Sequence, residues 1–335
     1  MSAPDLYKRR FLLFSGKGGV GKTAVSSSFA LSCARRGEKT LLIELNVKNK
    51  TSSLFGVEQI DEEIREVDEN LFAVNVTPKA AMREYALMVL KIKLVYRAVF
   101  ENRIVSSFLK VIPGLNELVM LGKAYYHAVE TDEEGNFVWD KVIVDAPATG
   151  HGIFFLKIPS VITNLISSGL MYDEAKRILD LLQDQERTAF AVVTLAEDMP
   201  VNETLMLTDV VEKEMAIPVA CVFANGIYRP LFDEAQAEFI EAGRNHLQKK
   251  EESAETSTLQ GFLEAAHFRN DRVSMQQHYL KKLRAESDWP LVEIPFYFHD
   301  RMSFAVLDGI AQHLDRTLRS EPDEESSPSA TESAG

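Results

Sequence analysis

The sequence predicts an α/β fold, a mostly parallel sheet flanked by helices with an inserted helical layer, and three observations carry that reading. Short runs rich in leucine and β-branched residues recur, and most are apolar throughout instead of alternating, as strands buried on both faces are. Stretches with helical spacing separate them, and strand–helix alternation of this kind builds a parallel sheet covered by helices. A glycine-rich loop joins the first apolar run to the first helical stretch.

In chain order, "FLLFS" (11–15) opens the sheet. "KTAVSSSFALSCARRG" follows with helical spacing and ends on basic Arg35 and Arg36 before a Gly37 stop. "TLLIE" (40–44) is the next strand, and "LFAVNV" (71–76) is expected as an additional edge strand. Residues 78–130 open on Pro78 and run helical and unusually apolar, with Met82, Met88, Phe100, Phe108 and Met120. "KVIVD" (141–145) returns to the sheet, and residues 151–183 are again greasy and methionine-bearing. Both helical stretches are expected to form a layer attached to the sheet. "AFAVVT" (189–194), "PVACVFA" (218–224) and "LVEIPF" (291–296) supply further strands, with a polar helical hairpin over 231–288. One domain over 1–320 is expected, followed by a disordered acidic tail, "EPDEESSPSATESAG" (321–335). No internal repeat is found.

Composition narrows the function classes. With 335 residues and 46% hydrophobic content the chain can bury a sizeable core. A net charge of −13 argues against nucleic acid as a partner. The two cysteines, Cys33 and Cys221, form no CxxC and read as buried hydrophobes of a reducing compartment. "FLLF" is too short for a signal peptide, and the longest greasy stretch, 85–100, is interrupted by Lys91, Lys93 and Arg97. A cytoplasmic protein without stable membrane insertion is expected.

The loop carries the sharpest chemistry. Gly16, Lys17, Gly18, Gly19, Val20, Gly21, Lys22 and Thr23 fit G-x-x-x-x-G-K-[ST], between an apolar strand and a helix N-terminus. Glycines let backbone N–H groups, with Ala24 behind them, curl around phosphates, and the helix dipole favours the negative charge. Lys22 is expected at the β- and γ-phosphates of ATP, and the Thr23 hydroxyl on Mg²⁺. The sheet is therefore predicted to be that of a P-loop NTPase. Asp145, at the end of a buried strand before a Pro/Gly loop, is placed to hold a Mg²⁺-bound water.

Lys17 has no role in an ordinary P-loop and none evident within its own subunit. The string "KGGVGKT" resembles the deviant Walker A motif of the ATPase class that includes MinD, ParA, the nitrogenase iron protein, ArsA and the tail-anchor-targeting ATPases. That resemblance implies that Lys17 crosses a dimer interface to the partner's nucleotide, stabilising transition-state charge. "DAPATGH" (145–151) resembles the switch II "DTAPTGH" of the ArsA and tail-anchor-targeting branch. "AEDMPVNET" (196–204) and "RVSMQQHYLKKL" (272–283) resemble further segments of that branch, as does "VFANGIY" (222–228). The last places Asn225 where the family has an adenine-contacting asparagine. The chain thus resembles the bacterial ArsA-like anion-transporting ATPases over most of residues 10–315.

Two departures matter. The family expects a switch I aspartate to orient the attacking water, and the aligned position here is Asn46, whose amide cannot accept a proton. Glu44 lies two residues earlier on the same strand face. The cysteine clusters that bind arsenite or zinc in relatives are missing. The resemblance implies an ATP-binding, dimerising ATPase, a homodimer or a heterodimer with an ArsA-like paralogue, that couples nucleotide state to a hydrophobic or protein client at the helical layer. Two alternatives stay open: a hydrolysis-impaired regulatory paralogue pairing with an active subunit, and the ATPase subunit of an arsenite or anion efflux pump.

Overall fold

A computed structural model describes residues 6–45, 50–90, 114–247 and 254–319. The sheet has eight strands: β1 (Phe11–Ser15), β2 (Thr40–Leu45), β3 (Arg65–Asp68), β4 (Leu71–Val76), β5 (Lys141–Asp145), β6 (Thr188–Leu195), β7 (Val219–Ile227) and β8 (Leu291–Pro295). Their spatial order is β3-β4-β2-β5-β1-β6-β7-β8, and every pairing is parallel except β3 with β4. The β1 and β5 boundaries match the sequence reading to the residue.

"LFAVNV" is not an edge strand. It lies between β2 and β3, and the antiparallel edge is β3, "REVD". That segment is polar and short, so no hydrophobic alternation marks it, while its half-exposed side chains suit a sheet edge.

Side-chain alternation sorts the strand residues between two cores. Phe11, Leu13, Leu41, Ile43, Val142, Val144, Phe190 and Val192 pack into one. Leu12, Phe14, Leu42, Ile143, Ala189, Ala191, Val193, Cys221 and Phe223 pack into the other. Because both faces are covered, the strand sequences read as continuous apolar runs.

The second core lies beneath helices α1 (Lys22–Arg35) and α2 (Lys50–Phe55). Helix α1 is buried from Ala24 to Ala34, and its four serines and small alanines let it seat against the sheet. It stops at Gly37, whose φ is +84°, with the Gly37 N–H donating to the Ala34 carbonyl at 2.9 Å.

The first core is roofed by α3 (Pro78–Leu90), α4 (Leu115–Val129), α5 (Thr149–Leu165) and α6 (Leu170–Leu182). Met82 and Met120 pack into or against that core. Phe100, Phe108 and the lysines at 91 and 93 fall outside the described residues, as does the 321–335 tail. After β6 come α7 (Asp198–Asp209), prolonged by a π turn at Val210–Glu214, then α8 (Glu234–Leu247) and α9 (Ala254–Glu286). Helices α8 and α9 pair through Ile240, Leu247, Leu263 and Ala266 and an Arg244–Glu264 bond of 2.8 Å. Helix α10 (Phe304–Arg319) turns Val306, Leu307, Ile310, Ala311 and Leu314 onto the α1 core, and Arg35 pairs with its Asp308. Among the described residues no helix is long and apolar enough to cross a membrane.

His127 of α4 is buried, with Nδ1 3.0 Å from Glu130 Oε2 and no hydrogen-bond partner for Nε2 among the described residues. Burial holds its pKa below the ordinary 6.5, helped by the Lys123 charge and opposed by Glu130 and Glu84. A depressed folded pKa means the unfolded chain binds the extra proton first. The associated stability is present above about pH 6.5 and is lost as pH falls below that through the depressed folded value. Urea unfolding at several pH values should show this decline in the parent protein and a shallower one in His127→Gln; parallel slopes would refute the assignment.

Candidate functional site

The loop from β1 to α1 is held by contacts that only glycine satisfies. Gly16 has φ +146°, and a Cβ there would sit 2.1 Å from the Val193 carbonyl oxygen of β6. Gly21 has φ +92°, and its Cβ would sit 2.3 Å from Asn225 Nδ2. That amide donates to the Val20 carbonyl at 2.9 Å, so Asn225 pins the loop to the end of β7. The first turn of α1 then begins with Val25 N–H donating to the Gly21 carbonyl at 3.0 Å, and no side chain caps it. Among the described residues nothing lies within 4 Å of a Cβ at Gly18 or Gly19, and Ala24 is buried on the helix.

Lys22 Nζ donates to the Lys17 carbonyl at 3.0 Å, so its stem runs back along the loop. Lys17 is not idle within its own chain: its ammonium pairs with Glu203 of α7. Both side chains are about a third exposed, at 28% and 34%, so solvent screens the pair. An interaction of that kind yields readily to a phosphate.

Alternation also explains what meets beneath the loop. Asp145 shares a strand face with Ile143, and Glu44 shares one with Leu42, so both carboxylates point to the α1 side. They are neighbours in register on β5 and β2 and are buried. Thr23 Oγ1 donates to Asp145 Oδ2 at 2.6 Å. A hydroxyl whose proton goes to a carboxylate keeps its lone pairs for a hard cation, and a set of hydroxyl and carboxylate oxygens suits Mg²⁺. Glu44 Oε1 accepts from the Thr51 N–H of α2 at 3.0 Å. Asn46 lies outside the described residues. After Asp145, Ala146 to Ala148 lead into α5, and Ser15 Oγ ties this turn to β1 by donating to the Pro147 carbonyl at 3.1 Å.

Sequence reasoning missed an aromatic group beside Asn225. The Tyr228 and Phe296 rings stack at 4.6 Å, Phe298 meets Phe296 at 4.8 Å, and the Arg269 guanidinium lies 4.1 Å from the Tyr228 centroid. Gln276 of α9 fixes the strand end, accepting from Tyr228 N–H at 2.8 Å and donating to the Gly226 carbonyl at 2.9 Å. The signal was present as the run "FYF" (296–298) after the last strand. Cys33 and Cys221 are both fully buried, and burial pushes each thiol up. Among the described residues no group of three or more His, Cys, Asp or Glu is placed to hold a metal.

A parallel sheet with a glycine loop at its carboxyl edge, a lysine and threonine opening the next helix, and an aspartate bonded to that threonine defines a P-loop NTPase. The sequence model of the anion-transporting ATPases matches residues 9–170 and 167–257, and the chain belongs to that family. It is 30% identical over 221 residues to ATPase BagA of Mycobacterium tuberculosis. It is 26% identical over 271 residues to an Aquifex aeolicus protein provisionally named arsenical pump-driving ATPase 2, covering 72% of this chain and 86% of that one. A Prosthecochloris vibrioformis protein provisionally named arsenical pump-driving ATPase is 24% identical over 233 residues, 58% of this chain and 56% of its own. The match with the mycobacterial relative covers 64% of either chain.

The loop geometry makes a contrast testable. Gly16→Ala should lower stability by about 2 kcal/mol or more, through a positive φ and the Val193 clash. Gly18→Ala, with nothing among the described residues within 4 Å of the added Cβ, should be close to neutral. Equal denaturation midpoints for the two variants would contradict the described loop.

Proposed function

We propose that the protein binds Mg-ATP in the Gly16–Thr23 loop, hydrolyses it, and couples nucleotide state to dimerisation and to a hydrophobic or protein client on its helical layer. The Thr23–Asp145 bond of 2.6 Å carries this reading, because a hydroxyl and a carboxylate, oxygens of the kind that ligate Mg²⁺, meet beneath a full phosphate-loop motif. Lys22 would serve the β- and γ-phosphates, the Thr23 hydroxyl would ligate the metal, and Asp145 would hold it through a water. When bound, Mg²⁺ supplies charge neutralisation at the phosphates. The Tyr228, Phe296 and Phe298 rings offer a stacking surface for the base, beside Asn225.

One observation favours a second reading, a hydrolysis-impaired regulatory paralogue: the switch I position is Asn46. An efflux-pump role has the support of two relatives' names, but the two thiols here are core residues and offer no arsenite ligands.

Steady-state ATPase assays separate the first two readings. Lys22→Ala should weaken ATP binding at least about tenfold, on the order of 1.4 kcal/mol, and abolish turnover. If the base is truly missing, parent turnover is slow and Asn46→Asp raises it, by ~10²–10⁴-fold for a well-placed general base and by less for a misfitted one. If Glu44 is a relocated base, Glu44→Gln abolishes turnover and Asn46→Asp changes little. Turnover that survives Lys22→Ala would sink both.

The dimer has its own check. In sedimentation, ATP should shift the protein towards dimer relative to ADP, with a catalytically complete paralogue supplied in a second arm. Lys17→Ala should erase the shift. A strict monomer in every condition would end the dimer reading.

A further inference from the structure

A cavity of about 490 Å³ lies between α3, α4 and α6, on the sheet face opposite the phosphate loop. Its floor is apolar, made by Ala81, Leu118, Val119 and Ile178, all buried. The rings of Tyr85, Tyr125 and Tyr126 also line it, and Met171 stands exposed at its side. Its rim is ionic: Lys123 of α4 pairs with Glu84 of α3, and Arg177 donates to Glu174 of α6 at 3.0 Å.

Gly122 holds this space open. It is the middle residue of α4, where glycine weakens a helix relative to any ordinary residue. Among the described residues a Cβ there would meet only Ile178 Cδ1, at an ordinary 3.7 Å, so neither backbone strain nor crowding by them requires glycine. The remaining physical consequence of the glycine is room in the cavity.

We propose that this cavity binds a small amphiphile, its aliphatic or aromatic body on the Leu118–Ile178 floor and its polar end at the Lys123 and Arg177 rim. The inference rests on the client reading above and names the client's class. As bounded by the described residues, the cavity is too small for a membrane-spanning helix. Such a helix of ~20 residues is ~30 Å long, whereas this volume falls within the ~300–1,000 Å³ of small-molecule sites. A mostly apolar lining with a few polar groups at one side is the pattern of those sites.

The experiment uses the full chain and the probe 1-anilinonaphthalene-8-sulfonate, followed by fluorescence. Saturable one-site binding is expected, displaced by decanoate, decylamine or decanol, with the preferred headgroup reporting the sign read at the rim. Gly122→Leu fills the cavity and should weaken probe binding about tenfold or more, while melting no lower than the parent because a better helix former replaces glycine. Equal probe binding by parent and Gly122→Leu, or none by the parent, overturns the proposal. Displacement by an apolar 20-residue helical peptide but by none of the decyl compounds overturns it too. The same titration with ATP and with ADP keeps the readings apart. Gly122-dependent binding that ignores nucleotide leaves the cavity standing and removes the coupling, whereas ATP turnover and dimerisation without probe binding do the reverse.

Discussion

The near-contact of the loop backbone with the sheet is the constraint from which the rest of the site follows. Gly16 lies against the Val193 carbonyl and Gly21 against the Asn225 amide, at separations no Cβ tolerates. Because the loop is clamped at both ends, α1 starts at one fixed height above the strands. That height sets the 2.6 Å contact between Thr23 on the helix and Asp145 on β5. A looser loop would leave Thr23 and Asp145 on separate elements with nothing to fix their spacing, and a metal site tolerates only a few tenths of an ångström. Asn225 is thus a structural pin by the geometry of its Nδ2, whatever its oxygen does for a bound base.

The two faces of the sheet divide the labour. The α1 face gathers Glu44, Asp145 and Asn225, each at the carboxyl end of its strand. The opposite face carries the helical layer and its cavity. Among the described residues two links span them. Helix α5 begins directly after the Asp145 loop and reaches the helical layer, and its Lys157 bonds Glu214 in the π turn beyond α7 at 2.6 Å. From the middle of α7, Glu203 holds Lys17 of the phosphate loop. Helix α7 is therefore tied to the loop by one ion pair and to α5 by another. Both pairs are partly exposed, so each is worth about 1 kcal/mol or less, weak enough for a charged ligand to exchange. Weakness suits a switch better than a strong bond would.

Much of this was legible in the sequence, for identifiable reasons. Strands buried on both faces announce themselves as apolar runs, so β1 and β5 were read to the residue, and the phosphate loop is a contiguous motif. The interior position of β4 was not legible, because a run records its own burial and not its neighbours. The edge strand β3 was invisible, having no apolar alternation to see. Lys17 read as unemployed because its partner is 186 positions away. The aromatic group escaped notice since Arg269, Tyr228 and Phe296 come from three segments that only the fold assembles. Gly122 looks in sequence like any helix glycine, and its meaning depends on the empty space beside it.

Glu44 shows how a single bond bears on the catalytic readings. Its Oε1 accepts the Thr51 N–H at 3.0 Å, at the start of α2, in a fully buried setting. A carboxylate has two oxygens, so this bond fixes the orientation of Glu44 without using up the group. Turning the whole carboxylate away would strand the buried Thr51 donor, at a cost of about 1–3 kcal/mol, whereas Oε2 can act while Oε1 stays held. The geometry therefore fixes where Glu44 stands, in register beside Asp145 on the α1 face, and any part it takes in handling water is taken through Oε2 from that position.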